Sequence, residues 1–203
     1  MQLLSLVWSH KMADQGDRRG GGEGGFEVDE ASLERLNLQI QHVMRKAMVD
    51  LLEEGLKQGS FEHVLRLWKE VRERLLRLSR GSEAEIEKTK AAVDCEYAEE
   101  LVQNQALDNS ILGDMIELAS RRIGELGAVA YEAQVLEWGA KLADEIRASG
   151  SGEAEGEKER TPANILAHFF DTSDVLLTRV EAGVAAHLLC QALLSHPGLR
   201  AAG

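Results

Sequence analysis

The segment SFEHVLRLWKEVRERLLRL, residues Ser60–Leu78, is the most regularly patterned part of the chain. Its apolar residues recur every three or four positions, which at about 100° per residue places them on one face of a helix. They are Phe61, Val64, Leu65, Trp68, Val71, Leu75 and Leu78. The pattern predicts a helix capped by Ser60, running to about Arg80 and ended by Gly81, with Trp68 in the protein core.

The neighbouring segments follow the same rhythm. An apolar series from Leu33 to Leu56 predicts a helix that ends at Gly59. Ser82, with Glu85 three residues later, forms a capping-box pattern and predicts a third helix. That third helix has a narrow apolar stripe and many charged residues, so we expect it on the surface. The stripe consists of Ile86, Val93, Tyr97, Leu101 and Val102.

The second half of the chain also reads as helices. Asp108 is the predicted cap of a central helix that Gly127 ends, and a fifth helix covers Tyr131 to Ile146. Thr161 and Pro162 form a helix-start signal for an apolar segment, in which the polar run Asp171–Asp174 either kinks one helix or separates two. His196, Pro197 and Gly198 are expected to end that segment.

These elements predict an all-α fold, an antiparallel bundle of five to seven helices without strands. The predicted organisation is a disordered glycine-rich tail at 1–28, a helical domain at 29–148, a flexible acidic linker at 149–161 and a C-terminal apolar helix or helix pair at 162–203. The apolar run from Leu3 to Trp8 is too short for a secretory signal. Met12 is the predicted working start, because MADQGDRRGGGEGG resembles an ordinary cytosolic N-terminus. No stretch approaches the roughly 20 apolar residues of a membrane span.

Composition narrows the function classes. The chain has 35 acidic and 23 basic residues, a net charge of −12, which argues against binding to a phosphate backbone. Its only two cysteines, Cys95 and Cys190, are too few for a disulfide framework and suit a reducing compartment, so we expect a cytoplasmic protein that does not bind nucleic acid.

No catalytic or metal-binding pattern is predicted. The histidines include no pair at the i, i+4 spacing that presents two rings to one metal; those considered are His42, His63, His168, His187 and His196. Asp171–Asp174 are residues that helix caps and kinks use, and Cys95 lacks an evident histidine base. We therefore predict no enzyme, no cofactor and no metal.

The best candidate site is a basic set on the Ser60–Leu78 helix and just beyond it. It consists of Arg66, Lys69, Arg72, Arg74, Arg77 and Arg80. Basic charge gathered on one element of an acidic protein can steer an acidic partner. The competing interpretation is intramolecular pairing with the acidic third helix.

Four successive segments resemble the opening part of the T-complex protein 11 family. They are MRKAMVDLLEEGL, FEHVLRLWKEVRERLLRL, EIEKTKAAVDCEY and the turn ELGAVAYEA. Similar residues stand at Met44, Ala47, Asp50, Leu51, Phe61, Leu67, Glu70, Val71, Leu75, Leu76, Ile86, Val93 and Asp94. In the turn, Leu126, Ala128 and the acidic Glu132 persist, whereas Gly127, Val129 and Tyr131 replace the cysteine, proline and arginine of the family pattern.

The resemblance runs from about Leu36 to Leu194, weakens after the linker, and covers only part of a usually longer family domain. It implies a non-enzymatic protein that modulates signal transduction, especially through cyclic AMP and protein kinase A, by binding other proteins. A structural subunit of a helical oligomer is the alternative.

The final segment has apolar side chains around most of its circumference. We expect it either to self-associate or to bind a partner's helix, or else to form a central helix that the preceding helices surround. Its large apolar residues are Ile165, Leu166, Phe169, Phe170, Val175, Leu176, Leu177, Val180, Val184, Leu188, Leu189 and Leu193.

Overall fold

A computed structural model describes residues 30–79, 81–149 and 161–195. Within these ranges the chain forms seven helices and no strand, which confirms the predicted all-helical bundle. The helices are α1 (Glu30–Lys57), α2 (Glu62–Leu78), α3 (Glu83–Ala92), α4 (Cys95–Gln103), α5 (Asn109–Leu126), α6 (Val129–Ala148) and α7 (Pro162–Ser195). The predicted tail, the start at Met12, most of the predicted linker and the stop at 196–198 lie outside the described residues.

The chain divides into two compact units, Met1–Ile40 and Gln41–Gly203. In the first unit the described part is the opening of α1, where Leu36, Leu38 and Ile40 are exposed. The second unit holds the rest of α1 and all the other helices, and it contains the core.

Most helix ends follow the local sequence signals. Gly59 and Gly81 take positive φ angles of 67° and 109°, which a residue with a side chain rarely adopts. The side chain of Asp108 accepts a hydrogen bond from the Ile111 amide, and Gly127 ends α5 as predicted. These boundaries depend on one or two residues each, so they are readable without the tertiary structure.

Two predicted boundaries are wrong. Phe61, not Ser60, occupies the cap position of α2, and no side chain caps that helix. The predicted third helix is two helices, because α3 ends at Ala92 and Asp94 caps α4 through a 2.9 Å bond from the Tyr97 amide. The break buries Val93 completely and leaves Tyr97 52% exposed, so these two residues do not share one stripe.

The core forms around the first half of α7. Phe169 is fully buried, with its ring centroid 5.5 Å from that of Trp68 and 5.7 Å from that of Trp138. Trp68 is 2% exposed, as predicted, and Phe170 meets it edge-on. Aromatic stacking of this kind adds to the stabilisation from burial, so α2, α6 and α7 are held together at this cluster.

Helices α5 and α6 make the closest helix pair in the bundle. A side chain on Gly139 of α6 would overlap Ser120 of α5, so the backbones approach each other closely at this position. On α5, Ile116, Ala119 and Ile123 are buried. The prediction that this helix is central agrees with this burial.

The final segment is one helix, not two. From Pro162 to Leu177 it supplies core residues, and Thr161 accepts a hydrogen bond of 3.3 Å from the Asn164 amide at its start. From Ala182 to Ala192 every residue is exposed. The expected central, buried helix is therefore found only in the first half of this segment, whereas the described residues beyond Glu181 are exposed.

Candidate functional site

The predicted basic set lies along α2, where two of its members contact α4. Lys69 forms an ion pair with Glu99, and Arg72 Nη1 lies 2.6 Å from Glu96 Oε2. The hydrogen bond that Lys69 donates to Glu99 raises the pKa of Lys69, and the one that Arg72 donates to Glu96 lowers the pKa of Glu96. Both pairs join opposite charges on α2 and α4. They match the competing interpretation, intramolecular pairing with the predicted acidic third helix, whose second half is α4.

Arg74, a further member of the set, contacts α7. Arg74 donates to both carboxylate oxygens of Glu181, at 3.0 and 2.9 Å, and to Thr178 Oγ1 at 3.0 Å. It also pairs with Asp174. The Arg74 side chain is only 13% exposed, and its planar guanidinium group holds α7 against α2 through these hydrogen bonds.

Arg77 and Arg66 make fewer polar contacts than Arg74. Arg77 Nη2 lies 3.9 Å from Glu181, at the limit of an ion pair, with 38% of its side chain exposed. Arg66 has a 3.0 Å hydrogen bond to His63 Nδ1 and is exposed, and the described residues give it no ion pair. Arg80 lies outside the described residues. The structure thus separates the basic set into bundle-forming members and more available members.

Two grooves run beside these residues. The first, of about 440 Å³, lies between α2 and α3, and its lining is Glu73, Leu76, Arg77, Ile86 and Lys90. The second, of about 570 Å³, also includes Lys90, and its other lining residues are Arg72, Glu87, Ala91, Asp94 and Glu96. The first groove combines two apolar side chains with two cations and one anion, and Lys90 Nζ lies 2.7 Å from Glu87 Oε1.

Arg122 on α5 was missed by the sequence analysis, although it has the most complete polar environment in the bundle. Its side chain is 2% exposed and pairs with Glu85 Oε2 and Glu125 Oε2, both at 2.8 Å. It also donates to Thr89 Oγ1 at 2.9 Å and to Ser79 Oγ at 3.3 Å. A buried arginine with partners on every side is a structural group, and it fixes α3 against α5 beside the first groove.

The signal that could have identified Arg122 is its position. It follows the buried residues Met115 and Ala119 by seven and three positions and so shares their face of α5. An arginine in such a position is ordinarily expected to be exposed. Its burial is favourable because Ser79, α3 and Glu125 provide hydrogen-bond partners.

The described residues include no group of three or more histidine, cysteine, aspartate or glutamate side chains that could hold a metal ion. Burial raises the pKa of the Cys95 thiol above its ordinary value, although Arg72 opposes the shift. A protonated thiol is a poor nucleophile. His63 and His187 bond to Arg66 and Gln191 on their own helices.

One helix of the described chain, Pro162–Ala192, is long and apolar enough to cross a membrane by length and composition, with a mean hydropathy of 1.2 and only 6% of its apolar window buried. By this measure the expectation that no stretch approaches a membrane span is wrong. The residues of this helix up to Leu177 include the aromatic core of the bundle.

Comparison of the chain with family models, with curated proteins and with solved structures gives no match.

Proposed function

We propose that this protein is a non-enzymatic, helical interaction protein of the T-complex protein 11 type that modulates signal transduction, with the cyclic-AMP and protein kinase A pathway as its setting. The observation that carries the proposal is the first groove, where Arg77 and Lys90 stand beside Leu76 and Ile86 in a chain of net charge −12. The resemblance to the family supplies the pathway.

The available members of the basic set are the proposed docking residues. Exposed ion pairs contribute little to stability, because water already solvates both charges. A partner's carboxylates can therefore replace the long Arg77–Glu181 contact or approach Arg66 at small cost to the fold. Arg72 and Arg74, whose side chains are 16% and 13% exposed, hold α4 and α7 and have a supporting role.

The test is direct binding of the full chain to the purified regulatory and catalytic subunits of protein kinase A by titration calorimetry, at low and at physiological salt. The double variant Arg66→Glu/Arg77→Glu should weaken binding at least about tenfold, since it reverses two charges that face an acidic partner. Lys141→Glu, which reverses one charge at an exposed position of α6 outside the first groove, is the control and should leave binding unchanged.

Two results would count against the proposal. If the chain binds neither subunit and leaves the cyclic-AMP activation curve of the kinase unchanged, a role in the protein kinase A pathway is excluded. An equal loss of binding in Lys141→Glu would show that net charge, and not the groove, accounts for the interaction.

The alternative is a structural subunit of a helical oligomer, and the uncovered second half of α7 favours it. Light scattering during serial dilution separates the two functions. An obligate oligomer stays assembled on dilution, whereas an interaction protein acts as a small species that needs its partner.

A further inference from the structure

Glu181 of α7 is shared between two arginines of the basic set. Its Oε1 atom accepts a 3.0 Å hydrogen bond from Arg74 Nε and lies 3.9 Å from Arg77 Nη2. Its Oε2 atom accepts a 2.9 Å hydrogen bond from Arg74 Nη2. Glu181 therefore helps to hold α7 and is also part of the electrostatic surroundings of Arg77, which lines the first groove.

The attachment of α7 to α2 does not depend on Glu181 alone. Arg74 also pairs with the Asp174 carboxylate, and its Nη1 atom donates to the Asp174 carbonyl at 3.3 Å. Its Nη2 atom donates to Thr178 Oγ1 at 3.0 Å. Because Arg74 keeps these partners when the charge of Glu181 is removed, the effect of Glu181 on Arg77 can be measured with α7 still in place.

Both cations of the first groove have a carboxylate of this chain beside them. Lys90 pairs with Glu87 of its own helix, and Glu87 is 60% exposed. For Arg77, Glu181 provides the one ion pair among the described residues. A partner's carboxylate that takes either cation must therefore replace an internal one.

The two internal carboxylates differ in how freely they can move away. The exposed side chain of Glu87 can turn into water when a partner replaces it. Glu181 is held by two hydrogen bonds from Arg74, whose side chain is only 13% exposed. Bidentate pairing of an arginine with a carboxylate fixes the geometry of both groups. Glu181 thus remains beside Arg77 after the partner has arrived.

A fixed carboxylate beside a docking cation weakens the attraction of a second carboxylate. The interaction between two charges falls only as the inverse of their separation, so Glu181 at 3.9 Å offsets part of the field of Arg77. It also repels the incoming carboxylate directly.

We propose that Glu181 is an internal competitor of the acidic partner at the first groove, and that it lowers the affinity of Arg77 for the partner's carboxylate. The inference rests on the function proposed for the groove. Its consequence is that docking is weaker, and more readily reversed, than the basic residues alone would make it.

The first measurement needs no partner. Phenylglyoxal reacts with a guanidinium group that has lost a proton, and a nearby carboxylate disfavours that loss. In the full chain, Glu181→Gln should therefore raise the labelling rate of Arg77 about two- to fivefold, in keeping with the strength of an exposed ion pair. Mass spectrometry of peptides gives the rate, and Arg66, which has no contact with Glu181 among the described residues, is the internal reference.

Asp174→Asn is the matched control. It removes the same charge from a carboxylate that pairs with Arg74, and the described residues give it no ion pair with Arg77. The labelling rate of Arg77 should not change in this variant. In Glu181→Gln the amide keeps a carbonyl oxygen that can accept from Arg74, so both variants should retain the helical circular dichroism of the unmodified chain.

The second measurement is titration calorimetry with the purified regulatory and catalytic subunits of protein kinase A. Glu181→Gln should tighten binding about two- to fivefold at low salt, and the gain should shrink at physiological salt because added ions screen exposed charges. Asp174→Asn should give less than half of this gain.

Three results would overturn the inference. These are an unchanged labelling rate of Arg77 in Glu181→Gln, an equal rise in Asp174→Asn, and unchanged affinity of Glu181→Gln for a subunit that the unmodified chain binds. If neither subunit binds the unmodified chain, the proposed kinase pathway fails, whereas the labelling rates still decide whether Glu181 competes for Arg77.

Discussion

Replacement of Trp68 by alanine is the most direct test of the core described above. A buried tryptophan removes roughly 150–250 Å² of surface from water, and Trp68 is 2% exposed between Phe169 and Phe170. Alanine retains only a small part of that burial. At about 25 cal/mol per Å², the loss of ~150 Å² costs about 4 kcal/mol, within the ~3–5 kcal/mol observed for such truncations in cores.

The indole nitrogen allows the packing contribution to be measured separately. Trp68 Nε1 is buried, and among the described residues it has no hydrogen-bond partner. Trp68→Phe therefore removes volume and an unsatisfied donor but keeps an aromatic ring against Phe169. The phenylalanine variant should lose less than half as much stability as the alanine variant, because an unpaired buried donor is itself unfavourable.

The assay is urea unfolding followed by circular dichroism at 222 nm, with the change in free energy taken from the midpoint and the slope. For a chain of this size, the alanine variant should melt on the order of 10 °C lower. A free energy of unfolding that changes by less than about 0.5 kcal/mol in Trp68→Ala would refute the packing of α2 against α7. Equal losses in both variants would refute the interpretation of the indole nitrogen.

Three more perturbations follow from the contacts. Gly139→Ala should destabilise by about 1–3 kcal/mol in the same urea assay, since the new methyl group overlaps Ser120; an unchanged midpoint would show that α5 and α6 can separate there. Arg122→Met should cost about 2–3 kcal/mol by removing charge-assisted hydrogen bonds from a buried site, whereas the exposed neighbour variant Arg121→Met should cost under about 0.5 kcal/mol. Arg72 lowers the pKa of Glu96 below its ordinary value of 4.5. As the pH falls, the unfolded chain therefore takes up a proton at Glu96 before the folded chain does. The stability that the Arg72–Glu96 pair contributes is complete above pH 4.5 and is lost as the pH falls through the lowered pKa. Glu96→Gln should therefore reduce the fall in melting midpoint between pH 6 and pH 3, and an identical pH profile would contradict the pairing.

The function proposed for the groove is independent of these stability tests. The core variants change the buried residues Trp68 and Gly139, neither of which lines the groove. A destabilised core variant would therefore report on packing, whereas the docking variants change residues at the surface.

The sequence by itself determined the class of fold and most of the helix ends. Periodicity identified the apolar stripe of α2 and placed Trp68 in the core. Gly59, Gly81 and Asp108 marked boundaries because a positive φ or a capping side chain needs only the residue and its immediate neighbours. These are local effects, and local sequence is enough to specify them.

The tertiary structure decided what covers each apolar face and which charges pair. The acidic segment divides into two helices at the fully buried Val93, and Arg122 is buried because Ser79, Thr89, Glu85 and Glu125 all reach its guanidinium group. The same uniform apolar pattern on α7 became core up to Leu177 and an exposed surface beyond Glu181. Periodicity reports that a face is apolar, but burial depends on whether another part of the chain reaches that face, and no local sequence signal encodes that distance.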